Sequence, residues 1–389
     1  ANEFGVSVKM ITGDHRAIAV ETCRTLGMGT NVLGAEKLPL LTAQELEAST
    51  TLGRDYGEMC RQADGFAQVF PEHKYLIIEA LRQQGYLVGM TGDGVNDAPA
   101  LKRSDVGIAV QGATSAAQAA ADIVLTQPGL STIVTAIVTS RKIFQRMKNF
   151  VIYRVACTEQ LLFFFFISCI FYHPNEYNAD WPSYFAIPVI ALVTITILND
   201  GTIISVAYDH VDASVKPEKW DLNILYIVSS AVGMVALIGS IVLLELSLDS
   251  QSPDSMWRSM GLPVMTYGEI QTLMYLKISL SDYFSVFNSR TKGWMWSRMP
   301  SIVLVGAFVL ATTCSTFLAV YWPFGNGMQG IEWDLAVYCW LYVIMWAFIQ
   351  DAAKVVTYKI LQSFGWVESV KVIDEKALKR GREAAVGAL

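Results

Sequence analysis

Two carboxylates four positions apart, Asp93 and Asp97, sit in the run Met90-Thr91-Gly92-Asp93-Gly94-Val95-Asn96-Asp97-Ala98-Pro99-Ala100-Leu101. Carboxylate oxygens are the hard ligands that Mg2+ takes, and the glycines let backbone amides close on an anion. The residue types and their spacing describe a magnesium and phosphate site, against the plainer reading of a solvated Asp-Gly turn. Leu87 to Met90 is a short apolar run that reads as a buried strand, and Pro99 among small residues suits the exit into a helix.

The elements that must position this turn follow from the pattern around it. Strand candidates at 9–12, 65–70, 86–90, 106–110 and 123–125 alternate with helical patterns at 15–26, 72–84 and 113–121. Such alternation implies a doubly wound α/β unit over residues 1–130. Sheets of that kind gather ligands beyond the carboxyl ends of their strands. Thr12, Asp93 and Asp97 each follow a strand, so the pattern puts them on one rim.

The Asp93–Asp97 string resembles the TGDGVNDAPAL hinge of the P-type ATPases, cation pumps that phosphorylate themselves on an aspartate. Met10-Ile11-Thr12-Gly13-Asp14 resembles the TGD motif of that family, and Phe70-Pro71-Glu72-His73-Lys74 resembles its P-x-x-K motif. The three occur in the family's order at family-like spacing. The resemblance implies a haloacid-dehalogenase-like (HAD-like, Rossmann-like) phosphorylation domain, present in part, with Mg2+ as cofactor and ATP as substrate. It implies that Thr12 and Gly13 hydrogen-bond the phosphoryl oxygens, that Asp14 is a catalytic residue of the same motif, and that Lys74 offsets the phosphoryl charge. Asp93 would hold the metal, with Asn96 and Asp97 keeping that loop and its ligands in place.

The family's nucleophile lies in an Asp-Lys-Thr-Gly-Thr segment, and no such string occurs in these 389 residues. The expectation is therefore a C-terminal part of a longer pump. Its amino-terminal helices, actuator domain, nucleophilic aspartate and nucleotide-binding domain would lie in the missing N-terminal part. Alone, this part is expected not to turn over ATP.

Composition points to a second, membrane-bound portion. Hydrophobic residues make up 53% and charged residues 16%, with a mean hydropathy of +0.37, too apolar for an ordinary soluble domain. Six apolar segments approach the ~20 residues that span a bilayer: 150–171, 184–208, 224–246, 270–287, 302–321 and 335–358. Lys277 and Asp282 interrupt the fourth. Residues 131–149 read as a connector helix entering the first span, either passing movement of the phosphorylation domain to the membrane or joining the two parts passively. Residues 359–389 are left as a tail. Arg141, Lys142, Arg146 and Lys148 precede the first span, Lys216 and Lys219 follow the second, and Arg290, Lys292 and Arg298 follow the fourth. Lys371, Lys376, Lys379, Arg380 and Arg382 follow the sixth, and the intervening loops carry only Arg258. Positive residues stay on the cytoplasmic side, which places the α/β unit, these loops and the tail there.

Charge within hydrocarbon marks an ion path or a buried pair. Asp200 leads, in Ile195-Thr196-Ile197-Leu198-Asn199-Asp200-Gly201-Thr202, where Pro188 and Gly201 predict a broken helix whose bared carbonyls would lie beside a carboxylate. A structural role, capping a kink, is the alternative. Arg154 lies near the cytoplasmic boundary and either takes part in transport or snorkels to the interface. Glu159 lies deeper. Lys277 and Asp282 read as an internal pair, and Glu245, Asp351 and Lys354 as interfacial.

The Leu-Asn-Asp-Gly-Thr string resembles the sixth membrane helix of plasma-membrane proton pumps of the plant, fungal and protist branch. That resemblance makes Asp200 the proton acceptor, with Asn199 beside it. Plant members carry an arginine deeper in the preceding helix, where this chain has Gln160, so the cation partner of Asp200 stays open. The function expected is proton export across the plasma membrane, with protons and the lipid bilayer as partners. A pump for another cation, and a non-catalytic membrane subunit or decayed remnant, are the alternatives. The six cysteines show neither a disulfide framework nor a metal spacing. A net charge of −6 and a pI near 5.4 argue against nucleic acid as a partner.

Overall fold

The structure is a computed structural model and describes residues 1–325 and 327–367. The chain divides into two compact units, Ala1–Thr139 and Ser140–Leu389. The greater part of the tail assigned to 359–389, with its five basic residues, lies outside the described residues.

The first unit holds six short parallel strands. β1 (Met10–Ile11), β2 (Val32–Gly34) and β3 (Gly65–Ala67) form one sheet in the order β1-β3-β2. β4 (Gly89–Gly92), β5 (Val106–Ala109) and β6 (Ile123–Val124) form a second in the order β4-β5-β6. Met10 lies opposite Gly65, and Gly89 opposite Val106. Parallel pairing needs crossover connections, and six helices provide them: α1 (Arg16–Thr25), α2 (Ala43–Ala48), α3 (Leu52–Gln62), α4 (Pro71–Gln83), α5 (Ala98–Arg103) and α6 (Ser115–Ala120).

One helix joins the two cores. Pro71 supplies the preset φ of a first helical position. Further along α4, Leu76 and Ile77 enter the core containing Phe66 and Cys60, while Ile78 enters the core containing Met90, Leu101 and Ala109. Truncating Ile77 to alanine would cost about 2–5 kcal/mol. Residues 32–62 carry little periodic signal yet form β2, α2 and α3. In α3 glycine lowers helix propensity, but a Cβ at Gly53 would lie 2.6 Å from Gln83 Cβ on α4. Close helix packing sets the residue there. The strand anticipated at 86–90 is shifted to Gly89–Gly92, and Leu87 is 90% exposed.

α7 (Ser131–Phe171), most of it in the second unit, runs unbroken for 41 residues, through both the anticipated connector and the anticipated first span. It is followed by α8 (Val189–Ile204), α9 (Leu222–Leu248), α10 (Met256–Ser259), α11 (Tyr267–Ser289), α12 (Ile302–Val320) and α13 (Trp333–Ser363). Among the described residues five helices are long and apolar enough to cross a membrane: α7, α8 with its 3-10 extension to Tyr208, α9, α12 and α13. The remaining long helix, α11, lies at the centre. Its side chains from Ile270 to Tyr283 are all buried, packed among α8, α9, α12 and α13.

Two rims close the bundle. At one, Asn149 of α7, Asp209 after α8, Arg290 after α11 and Ser301 before α12 are hydrogen-bonded together. At the other, Tyr177 after α7 donates to Glu245 of α9, and Gln271 of α11 donates to the Ala186 carbonyl before α8. The first rim carries the basic loops, as the sequence pattern requires.

Three local expectations change. Pro188 is the N-cap of α8, and the helix continues through Asn199, Asp200 and Gly201 without a break. Thr194, Thr196 and Thr202 donate to carbonyls four residues back and keep those groups satisfied. Lys277 and Asp282 do not pair, because five residues along a helix turns them to different neighbours. Lys277 Nζ donates to Ala236 O and Ser240 Oγ of α9 at 2.7 and 2.5 Å, while Asp282 accepts from Asn199. Asp351 and Lys354 are not interfacial. They form a buried pair at 2.6 Å whose remaining bonds reach Met295 N and Asn288 O.

Candidate functional site

Thr12, Gly13 and Asp14 form the loop leaving β1. The Val69 and Gln68 amides donate to Thr12 O and Asp14 O at 3.2 and 3.0 Å, which ties this loop to the end of β3. Gln68 holds φ at 57°, left-handed and uncommon outside glycine. Thr12 Oγ1 donates to Asp14 Oδ2 at 2.8 Å and accepts the Asp14 amide at 3.1 Å. The chain beyond β3 enters α4, whose first turn carries Lys74. His73, next to it, is buried and accepts the Phe70 amide on Nδ1; burial lowers its imidazole pKa.

Lys74 Nζ donates to Asp97 Oδ1 at 2.7 Å. Asp97 Oδ2 accepts the Asp93 and Gly94 amides, each at 3.3 Å, and so pins the turn after β4. The turn closes tightly: a Cβ at Gly92 would fall 2.6 Å from Asp97 Cβ. Burial pushes the Asp97 carboxyl up, but the Lys74 ammonium and the two loop amides outweigh burial and hold it below the usual carboxylate range. Asp97 is therefore spent on structure. Asp93 and Asn96 are exposed, and the Asp93 carboxylate has no partner among the described residues. One continuous set of contacts thus runs from the Thr12–Asp14 loop through β3, Lys74 and Asp97 to Asp93. Among the described residues there is no group of three or more His, Cys, Asp and Glu side chains arranged to hold a metal.

The second unit brings Arg154 and Asp200 together. Arg154 Nη1 on α7 donates to Asp200 Oδ1 on α8 at 2.7 Å, with the side chains 43% and 55% exposed. Asp200 shares the uncovered stripe of α8 with Val193, Ile197 and Ile204, at helical spacing. The cation partner left open by Gln160 is Arg154. Gln160 is buried instead and accepts from Ser281 of α11 at 3.2 Å. Asn199 faces inward, opposite to Asp200, and donates to Asp282 Oδ2 at 2.6 Å. Glu159 accepts from Ser230 Oγ of α9 at 2.9 Å.

Sequence reasoning missed Asp282 as the polar centre behind the pair. Beside it, Asn199 Oδ1 and Gln160 Nε2 are buried without partners among the described residues. The signal available was an acidic residue without a lysine or arginine three or four positions away. Also missed was the buried bidentate pair Arg290–Asp209, whose members lie in segments that read as loops.

The chain thus combines three motif-bearing loops at the strand ends of its α/β unit with a bundle of long apolar helices that leaves the Asp200 carboxylate half exposed. It is 45% identical over 377 residues to "Probable proton ATPase 1A" and equally to "Probable proton ATPase 1B" of Leishmania donovani, matches that cover 92% of this chain. It is 39% identical over 398 residues, 98% of its length, to "Probable plasma membrane ATPase" of Dictyostelium discoideum. No protein-family model matches the chain. On this similarity the chain belongs to the P-type ATPases, in the plasma-membrane proton-pump branch. It spans little more than a third of the length of these relatives, 38% of the Leishmania proteins and 35% of the Dictyostelium one.

Proposed function

We propose that this chain supplies the phosphate-handling rim and the proton-carrying bundle of an ATP-driven pump that exports protons across the plasma membrane. The observation that carries the reading is the Arg154–Asp200 pair, two opposite charges meeting on apolar helices. An ion pair facing hydrocarbon is costly and marks function. Asp200 is the member of the pair that can take up and release a proton, and Arg154 is the cation that meets it. The uncovered stripe around Asp200 supports a cover supplied by further helices of the complete pump.

For the first unit we propose a HAD-like phosphorylation domain over 1–130, with 131–149 as connector, 150–358 as a six-helix membrane domain and 359–389 as a cytoplasmic tail. β1 and β4 each pair on one side only, and the candidate residues follow these two edges. That supports one sheet completed by a strand bearing the acceptor aspartate. The sixth span is α11, whose 23 residues reach about 35 Å and suffice for a bilayer core of about 30 Å.

The residues at the rim fit Mg2+. That ion keeps several waters and takes one or two carboxylates together with phosphate oxygens, and Asp93 offers a free carboxylate where Asp97 fixes the loop. When bound, Mg2+ would neutralise charge developing on the transferred phosphoryl group. Thr12 and Gly13 would orient phosphoryl oxygens, and Lys74, steered by Asp97, would place a positive charge beside them.

The test is Asp200→Asn in the complete protein. An amide has nearly the same shape but carries no titratable proton, so ATP-driven acidification of reconstituted vesicles should be abolished while phosphorylation from ATP persists. Wild-type pumping by folded Asp200→Asn would remove the carrier role and return it to Glu159.

A further inference from the structure

At the basic rim of the bundle a cavity of about 390 Å³ opens between α7, the loop before α9, and the end of α13. Its polar wall carries Lys148, Lys216, Lys219 and Lys292 against only Glu218 and Asp221. Its apolar wall includes Ile152, Leu225, Tyr358 and Trp366. Lys148 and Lys292 meet Glu218 at 2.7 and 3.7 Å. Burial pushes the Glu218 carboxyl up, but the two lysines outweigh burial and hold it below the usual range, so it stays charged. Asp221 is occupied in capping α9, accepting the Ile224 amide at 3.2 Å. Lys216 and Lys219 are exposed, and their ammonium groups meet no acceptor among the described residues.

We propose that this cavity binds the headgroup of an anionic glycerophospholipid from the cytoplasmic leaflet. Neither the rim of Asp93 nor the Arg154–Asp200 pair touches it, and it does not depend on which ion is carried. Four cations against two anions leave a positive pocket, and the two unpaired lysines both line it. The apolar wall lies at the ends of membrane helices, where a glycerol backbone and the first acyl carbons would pack. Juxtamembrane lysines are drawn to the negative cytoplasmic leaflet over a Debye length; a walled pocket adds shape to that attraction. The segment 368–389 follows directly from the pocket in sequence, yet it holds five basic and four acidic residues. It lacks the negative charge that would make it the better occupant.

The complete protein is reconstituted in phosphatidylcholine vesicles containing phosphatidylserine, re-extracted in mild detergent, and its retained lipids are measured by mass spectrometry. Phosphatidylserine should be enriched over phosphatidylcholine. The double variant Lys216→Gln, Lys219→Gln should lose about tenfold of that enrichment. Glu218→Gln frees Lys148 and Lys292 and should raise it, a direction that misfolding does not produce. Excess inorganic phosphate should leave the lipid in place. The proposal is overturned if the double variant retains phosphatidylserine like the wild type, or if Glu218→Gln fails to raise it. Displacement by inorganic phosphate would also overturn it and point to free phosphate as the ligand. An equal loss in Lys102→Gln, on α5 of the other unit, would make the effect one of general surface charge and overturn it too.

Discussion

Two of the arginine–aspartate pairs in the second unit have the same chemistry in opposite surroundings. Arg290 grips Asp209 with two hydrogen bonds of 2.8 and 3.0 Å, and each side chain is 1% exposed. Its other donors reach the Arg298 and Met299 carbonyls, and Asp209 also accepts the Ser301 amide. Every group is satisfied, so nothing invites movement. Arg154 and Asp200 share one bond at 2.7 Å on a bare face. A pair held by a single contact can open at small cost, while a pair built into the meeting of three helix ends cannot. The buried pair fixes the bundle, and the open pair suits the transport role proposed for it.

Breaking the buried pair should have the largest effect. Arg290→Met leaves Asp209 dry and uncompensated, a loss of about 3–5 kcal/mol. The expected result is little folded protein in detergent by thermal melting, before any transport can be assayed. Arg154→Gln should do the reverse. Arg154 is held by a single bond on a face that no other helix of this chain covers, so the melt should stay nearer to wild type than in Arg290→Met while vesicle acidification falls sharply. A large stability loss in Arg154→Gln would erase the contrast between the two pairs.

The Lys74–Asp97 pair lies between these extremes, partly buried and with a loop hanging on it. Asp97→Asn in the complete protein should reduce phosphoenzyme formation by weakening the hold on Lys74 and on the turn bearing Asp93. The folded Asp97 carboxyl lies below its ordinary value. Its contribution is therefore complete above about pH 3.9 and fades as the pH falls through the folded value. Hydrogen exchange at the Asp93 and Gly94 amides should show no change in protection between about pH 8 and 5 beyond the intrinsic pH effect. A loss of protection within that range would separate the loop from this carboxylate.

How much of this was legible in the chain depended on the range of the interaction. The Asp93–Asp97 turn, Pro71 at the start of α4 and the apolar spans are local signals, and each lies close to where its residues predict. The partners of the charged residues were not legible, because they are set by which helices become neighbours. Arg154 near a boundary read as either a transport residue or a snorkelling side chain, and only the fold shows that it meets Asp200 across 46 residues of sequence. Asp351 and Lys354 looked interfacial from their place near a span end, yet the loop at Met295 folds over them. Gly53 and Gly57 hid α3, since close packing against α4, not helix propensity, decides that segment.

The central helix also sets a constraint on how the protein is made. A lysine or an aspartate at the middle of a membrane helix opposes insertion by about 2.5–3.5 kcal/mol, and on the proposed six-span arrangement α11 carries Lys277 and Asp282 there. This segment cannot be expected to leave the translocation machinery for lipid by itself. The acceptors of Lys277, on α9, and the donor to Asp282, on α8, are synthesised earlier and can wait beside the channel. Its cytoplasmic end is secured by Lys354 and Gln350 of α13, which emerge later. Insertion of α11 is thus a joint act with segments already made, and its anchoring a later one. Glycosylation mapping of chains with Ser240→Leu should find α11 left out of the bilayer more often than in the wild type.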